Sequence, residues 1–110
     1  MNQKKYRENY ELKQKLHGLM KEIILKTDLG EIEEFGVGGR GIEELNLDFE
    51  GGEIYSCIHY RQVMFVNQEG EEYKIDDSEY IKKIVVKLEK KLKEIKNNLD
   101  KKKFKRILDK

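Results

Sequence analysis

The chain has 110 residues, which suits one domain with a single core and excludes most multidomain enzymes. Lysine and arginine together number 23, and aspartate and glutamate number 22, so the net charge of +1 indicates no particular class of partner. Hydrophobic residues make up 37% of the chain, which predicts a thin core. We expect one domain over residues 1–110, and fraying of the basic tail over 101–110 is as compatible with the pattern as a continued helix.

The cysteine count and the N-terminus bear on location. Cys57 is the single cysteine, so no intrachain disulfide can form, and we expect a reducing, cytoplasmic setting. The basic N-terminus is not followed by the apolar stretch of a signal peptide, and no run approaches the roughly 18 apolar residues of a membrane span. We therefore expect no membrane partner.

The first predicted element is an amphipathic helix over residues 4–26. Its apolar stripe carries Leu12, Leu16, Leu19 and Ile23 at helical spacing. We expect Gly30 to follow the helix end because glycine tolerates a positive φ there. His17 also lies on this helix, and we expect its side chain to be solvated.

Strands are predicted next, because the hydrophobic period changes to two. Leu45, Leu47 and Phe49 alternate with polar residues, and Gly51-Gly52 is typical of a two-residue hairpin turn. Further strands are predicted over residues 54–60, 63–66 and 73–75, with 31–35 as a candidate first strand. The result is an antiparallel meander of four to five strands.

A long helix closes the chain. Asp76 to Glu79 is typical of a helix start, and an apolar heptad seam follows, made of Ile81, Val85, Leu88, Leu92, Ile95 and Leu99. The seam is shorter than a coiled coil requires, so packing inside the fold and homodimerisation both stay open. The fold class is therefore α+β, with an N-terminal helix, the meander and a long C-terminal helix.

Charge is unevenly distributed along the chain. Residues 1–27 carry a balance of +4, residues 28–80 of −12 and residues 81–110 of +9. The acidic centre includes Glu43, Glu44, Asp48, Glu50 and Glu53, which we expect on the sheet. Such a row of carboxylates could compete with a phosphate backbone for the arginines and lysines of a protein partner. A wet sheet face whose charges discourage edge pairing explains the same residues.

A glycine motif lies at Gly36, Gly38 and Gly41, with the G-x-G-x-x-G spacing of dinucleotide-binding loops. A strand follows it where such a loop requires a helix, so nucleotide binding is not expected. A hairpin loop, or a mobile contact loop through which Arg40 reaches an anionic group, explains the motif instead.

Cys57 and His59 are two residues apart on a predicted strand, so we expect them on one face. No orienting third group is apparent, and we predict no enzymatic activity and no catalytic residue. Tyr55, on the same face, would combine with His59 into an aromatic binding surface. No zinc or calcium spacing is present, so no metal and no cofactor are expected.

The order of a helix, an acidic antiparallel meander and a charged helix resembles small phage-encoded inhibitors of the anti-CRISPR kind. The resemblance covers the overall plan, rests on no motif, and differs from acidic members in the basic last helix. It implies stoichiometric blocking of a bacterial nuclease complex. The resemblance assigns no residue roles. The expected partner-binding residues come from the acidic sheet, the glycine loop and the aromatic surface: Arg40, Glu43, Glu44, Asp48, Glu50, Tyr55 and His59.

The alternative function is nucleic-acid binding through the basic last helix. Its candidate residues form the cluster Lys101, Lys102, Lys103, Lys105 and Arg106. Lysines along a helix can neutralise a phosphate backbone, and they fit a solvated helix face equally well. A homodimer through the seam is compatible with either function.

Overall fold

The computed structural model describes the backbone of residues 3–37 and 40–108 and the side chains of 4–34, 36 and 41–99. The elements in chain order are α1 (Gln3–Lys26), β1 (Gly30–Val37), β2 (Arg40–Phe49), β3 (Gly52–Cys57), a 3-10 helix (Ile58–Tyr60), β4 (Gln62–Val66), β5 (Glu72–Lys74) and α2 (Ser78–Leu108). The predicted α+β class is confirmed, with the meander containing five strands. No helix in the described part of the chain is both long enough and apolar enough to span a membrane.

The sheet is a simple antiparallel meander whose strands neighbour each other in chain order. Its register separates two faces, because side chains of a strand alternate. Leu45 lies opposite Ile32 and Ser56, and these three point towards the helices, on what we call the helix face. Asn46 lies opposite Glu31 and Tyr55, and these point to the other side, which we call the open face.

The core lies between the helix face and the two helices. The fully buried side chains of this core are Leu16, Met20, Ile23, Leu45, Leu47, Ile54, Val63, Ile81 and Leu88. Each leaves water on folding and contributes about 1.5–3 kcal/mol of transfer free energy. One apolar layer therefore holds both helices on one side of the sheet.

The two helices lie side by side and run in the same direction. Three ion pairs join Glu8 to Lys82 at 3.3 Å, Lys15 to Glu89 at 3.9 Å and Glu22 to Lys96 at 3.7 Å. The partners are always 74 residues apart, and the pairs recur every two turns of each helix. Since α1 ends at Lys26, the part of α2 beyond residue 100 extends past the end of its neighbour.

The heptad seam of α2 is part of the core over most of its length. Ile81, Val85, Leu88 and Leu92 belong to the core cluster, Ile95 packs against it, and Leu99 is exposed. The seam residues up to Leu92 thus pack inside the fold. Self-association remains a prediction only for the exposed end of the helix.

Two local predictions were wrong in detail. The tight turn after β2 consists of Glu50 and Gly51, whose φ angles are 45° and 78°, and Gly52 already pairs with Phe49 in β3. Positive φ at both central residues is the requirement of a type I′ hairpin. Gly30 does not have a positive φ. Close packing requires glycine there instead, because a Cβ would lie 2.1 Å from the carbonyl oxygen of Asn46.

Candidate functional site

The open face carries a set of carboxylates on its first three strands, which we call the acidic patch. Its members are Glu31, Glu33, Glu44, Asp48 and Glu53. Glu44 is half-buried and the other four are exposed. Along one strand, neighbours on a face are about 7 Å apart, and neighbouring strands are about 5 Å apart. The patch is therefore a dense two-dimensional array of negative charge.

The register places like charges against each other within this patch. Glu33 lies directly opposite Glu44, and Asp48 lies directly opposite Glu53. Like charges in such positions destabilise a sheet by roughly 0.2–1 kcal/mol per pair. Among the described side chains, no member of the patch forms a salt bridge. The fold thus tolerates a repulsion that an outside cation would relieve.

Tyr55 lies on β3, on the same face as the acidic patch and opposite Asn46. It is half-buried, and its burial, followed by the nearby Glu44 carboxylate and the charges of Cys57 and Glu33, raises the pKa of the phenol. The neutral phenol is therefore held beside the carboxylates as an aromatic surface with a hydroxyl at its tip. Tyrosine in this setting is a common anchor of protein interfaces.

Two open clefts adjoin the Asp48 and Glu53 pair. One, of about 640 Å³, lies beside the Glu50-Gly51 turn, and the other, of about 440 Å³, lies at the start of β1. The smaller cleft is lined by four carboxylates, those of Asp28, Glu31, Asp48 and Glu53. An arginine guanidinium, which bonds carboxylates in a planar, two-pronged geometry, suits such a lining.

Two of the predicted partner-binding acids are used inside the fold. Glu43 points to the helix face, where Lys21 donates to it at 2.7 Å, and this bond, with His17, lowers the pKa of the Glu43 carboxyl despite partial burial. Glu50, in the turn after β2, forms an ion pair with Lys87 of α2. Glu44 and Asp48 are the carboxylates of the predicted set that the sheet presents on its open face.

The expectation of a solvated His17 was wrong, because His17 is only 7% exposed. Its Nε2 lies 2.9 Å from Glu43 Oε1 and its Nδ1 lies 2.8 Å from Ser56 Oγ. In the neutral imidazole Nε2 donates to the carboxylate, so Nδ1 accepts from the Ser56 hydroxyl. The order serine, histidine, carboxylate is that of hydrolase triads, but Ser56 has no exposed surface, so no substrate reaches its oxygen. The three residues fasten α1 to the sheet.

The prediction that Cys57 and His59 lie on one face of a strand was also wrong. β3 ends at Cys57, which is fully buried, and His59 lies in the following 3-10 helix, where it is exposed and packs edge-on against Tyr60. The exposed aromatic group at this end of the molecule is completed by α1, because Arg61 stacks over Tyr10 at 4.6 Å and over Tyr6 at 5.3 Å. Tyr55 lies apart from this group, on the open face.

The glycine motif belongs to the hairpin between β1 and β2. Gly36 and Gly41 pair across the two strands, as do Val37 and Arg40. Arg40 is thus the first residue of β2, and its side chain lies outside the described residues, as do the side chains of the cluster Lys101, Lys102, Lys103, Lys105 and Arg106. The helical backbone of α2 continues through that cluster to Leu108.

α2 packs on the helix face, on the opposite side of the sheet from the acidic patch, but its Lys91 lines the larger cleft together with Asp48 and Glu53. Lys82, Lys87 and Lys96 are paired with carboxylates of other elements. Lys83, Lys90 and Lys93 are exposed, and none of the salt bridges between described side chains involves them. The acidic and basic surfaces therefore lie mainly on opposite sides of the sheet, and they meet at the larger cleft through Lys91.

Among the described residues, no group of three or more histidine, cysteine, aspartate or glutamate side chains is arranged to hold a metal ion. Comparison of the chain with protein families, with curated proteins and with solved structures finds no match. The function is therefore argued from the acidic patch itself.

Proposed function

We propose that the chain is a non-enzymatic protein-binding module that inhibits a bacterial, CRISPR-type nucleic-acid-targeting complex stoichiometrically through its acidic patch. One observation carries the proposal: all charged side chains described on the open face of β1, β2 and β3 are carboxylates. Four of the five are exposed, they repel one another across the strands, and none forms a salt bridge with a described side chain.

The chemistry of the patch fits the arginines and lysines that hold a nucleic-acid backbone. Carboxylates take the same charge-assisted hydrogen bonds from these side chains as phosphates do. A negative surface also steers a positively charged partner into encounter and so raises the association rate. Binding at such a surface would exclude the nucleic acid from it, which amounts to inhibition. A complex of this kind works in the cytoplasm, the setting that the single cysteine predicts.

The binding residues follow the open face. Glu44, Asp48 and Tyr55 are retained from the predicted set, and Glu31, Glu33 and Glu53 join them. Glu43 and Glu50 are left out because each already pairs with a lysine. Contributions from Arg40 and His59, at the hairpin end of the sheet, stay predictions.

The test is displacement of labelled double-stranded DNA from purified CRISPR effector complexes by this chain. The variant Glu44→Gln, Asp48→Asn, Glu53→Gln removes three charges from the patch and is compared with Glu11→Gln, Glu89→Gln, Glu94→Gln. The control removes the same charge from exposed positions away from the patch. We expect the wild-type chain and the control to displace DNA from at least one complex, and the patch variant to need at least about a hundredfold higher concentration, since three charged contacts are lost.

Equal displacement by the two variants would contradict the role of the patch. Failure of the wild-type chain to displace DNA from any effector complex would contradict the inhibitor function as a whole. Thermal unfolding curves of both variants show whether each is still folded at the assay temperature.

A second candidate function is nucleic-acid binding by α2, favoured by the helical extension beyond α1. That extension carries the cluster Lys101, Lys102, Lys103, Lys105 and Arg106 on a continuous helical backbone, and the exposed Leu99 near its base would serve a homodimer. Direct DNA binding whose affinity falls steeply with salt, and which is lost on charge reversal of the cluster, would favour this function over inhibition.

A further inference from the structure

The free edge of β1 shows how a partner can engage the sheet. β1 is the outer strand on one side of the meander, and all eight of its residues pair with β2. The other edge strand, β5, has only three residues. A long outer strand presents a row of unpaired backbone donors and acceptors.

The register identifies which backbone groups point outward. The amide of Asp48 donates to the carbonyl oxygen of Leu29 at 2.8 Å, so the Gly30 and Leu47 pair that follows is a non-hydrogen-bonded one. Hydrogen-bonded and non-hydrogen-bonded pairs alternate along antiparallel strands. Glu31 and Glu33 therefore bond to β2, while the N–H and C=O groups of Ile32 and Glu34 point away from the sheet.

Charge decides what can pair with this edge. A second copy of β1, aligned antiparallel about Ile32, would set Glu31 against Glu33, and alignment about Glu33 would set that residue against itself. Both arrangements oppose like charges and are disfavoured. An extended segment with lysine or arginine at alternate positions would instead place its basic side chains beside Glu31 and Glu33, and an apolar one beside the half-buried Ile32.

We infer that the partner inserts an extended basic segment as a sixth strand along β1. Its backbone pairs with the outward groups of Ile32 and Glu34, and its basic side chains continue onto the acidic patch. Addition of a strand to a sheet edge is a recurrent mode of recognition in which backbone bonds supply affinity and alternate side chains supply specificity. The inference names how the partner of the proposed function docks, and it rests on that function.

The test separates backbone pairing from charge by changing the same residue in two ways. Glu34→Pro removes an outward N–H, and Glu34→Ala removes the same carboxylate but keeps that N–H. Each is titrated by calorimetry with the peptide Thr-Lys-Val-Lys-Val-Lys-Thr, capped at both ends. We expect Glu34→Pro to bind about fivefold to tenfold more weakly than Glu34→Ala, the effect of one lost hydrogen bond.

A second comparison keeps the test decisive if Glu34→Pro does not fold. The wild-type chain is titrated with the same peptide methylated on alternate backbone nitrogens, which keeps every charge and removes the donors of one edge. We expect binding to the unmodified peptide and loss of binding to the methylated form in which the N–H groups that face β1 are blocked. Equal binding of all peptides, no binding of any, or equal affinity of the proline and alanine variants would overturn strand addition.

The DNA displacement assay distinguishes this failure from failure of the proposed function. If Glu34→Pro displaces DNA as well as Glu34→Ala does, while the Glu44, Asp48 and Glu53 variant does not, inhibition stands and strand addition fails. If the peptide comparison succeeds and the wild-type chain displaces no DNA, the edge binds basic strands and the inhibitor function fails.

Discussion

At the scale of single residues, Glu43 links the first helix to the sheet through two partners. Its carboxylate accepts from Lys21 and from His17, and His17 also bonds the fully buried Ser56. Removing Ser56 Oγ leaves a buried ring nitrogen without a partner, which costs about 1–3 kcal/mol. This polar layer fixes the position of α1 and hence which face of the sheet is covered.

The lowered pKa of Glu43 predicts that the folded chain loses stability in acid. Its pKa in the folded chain lies below the ordinary value of 4.5, so its contribution to stability is present above pH 4.5 and is lost as the pH falls through the folded value. We expect Glu43→Gln to be less stable at neutral pH and to lose less stability than the wild-type chain between pH 6 and the acid limit. Urea unfolding across this range measures the difference.

The matched control is Glu11→Gln, which removes an exposed carboxylate of α1. The Glu11→Gln variant should lose as much stability on acidification as the wild-type chain does. If Glu43→Gln and the wild-type chain lost stability in parallel on acidification, the carboxylate would contribute nothing to the helix attachment.

Substitution by alanine is expected to change the stability in opposite directions at Gly30 and at Gly18. A Cβ at Gly30 would meet the Asn46 carbonyl oxygen at 2.1 Å and Ile24 Cγ1 at 2.9 Å, so Gly30→Ala should cost about 1–3 kcal/mol. Gly18 is exposed inside α1 with no atom within 4 Å of such a Cβ, so Gly18→Ala should add up to about 1 kcal/mol. Chemical denaturation of both variants checks the signs. A stabilising Gly30→Ala would show that α1 and β1 are not packed closely there.

Few of these contacts between individual residues could be predicted from the sequence. His17 lies next to the apolar stripe of α1, on the flank shared by Lys13 and Met20, and that position was the one available signal of its burial. Its partners come from two distant strands, and their register is set by the whole sheet. Gly30 follows a helix, where a positive φ is the common requirement, but close packing is the requirement met here.

At the scale of elements, the helices and most strands could be predicted because their hydrophobic periods are regular. β3 was the exception. Alternation of apolar and polar residues continues formally to Tyr60, yet the strand ends at Cys57 and the chain turns through a 3-10 helix with Arg61 at φ 53°. No glycine, proline or asparagine marks this break, so periodicity alone carried the predicted strand too far.

The seam of α2 has a buried part and an exposed end, and substitutions in the two are expected to change the stability by different amounts. Leu88 is fully buried and Leu99 is 44% exposed. We expect Leu88→Ala to destabilise the chain by about 2–5 kcal/mol through the cavity it leaves. Leu99→Ala should change stability by no more than about 0.5 kcal/mol, as surface changes usually do. Urea unfolding measures both.

Sedimentation of the same two variants tests what the exposed end does. A dimer that Leu99→Ala converts to a folded monomer would assign that end to self-association. A Leu88→Ala variant that became monomeric with unchanged stability would contradict the placement of the seam in the core.

At the scale of the whole molecule, the fold separates the charges that the sequence distributes along the chain. The helices cover one face of the meander, and the acidic patch is left on the other, where Lys91 of α2 reaches the cleft beside Asp48 and Glu53. The sequence predicted an acidic sheet but not which carboxylates share a face, because a shift of one residue in register exchanges the two faces. For that reason Glu43 was included in the predicted set, and Glu31 and Glu33 were missed.

The most direct test of the acidic patch as the binding surface is carboxylate footprinting of the chain alone and bound to an effector complex that it inhibits. Carbodiimide-coupled labelling, read by mass spectrometry, reports the accessibility of each carboxylate. The patch predicts strong protection of Glu31, Glu33, Asp48 and Glu53 on binding, with Glu11 and Glu94 labelled as in the free chain. Unchanged labelling of the patch in a formed complex would contradict the claim and would assign binding to another surface.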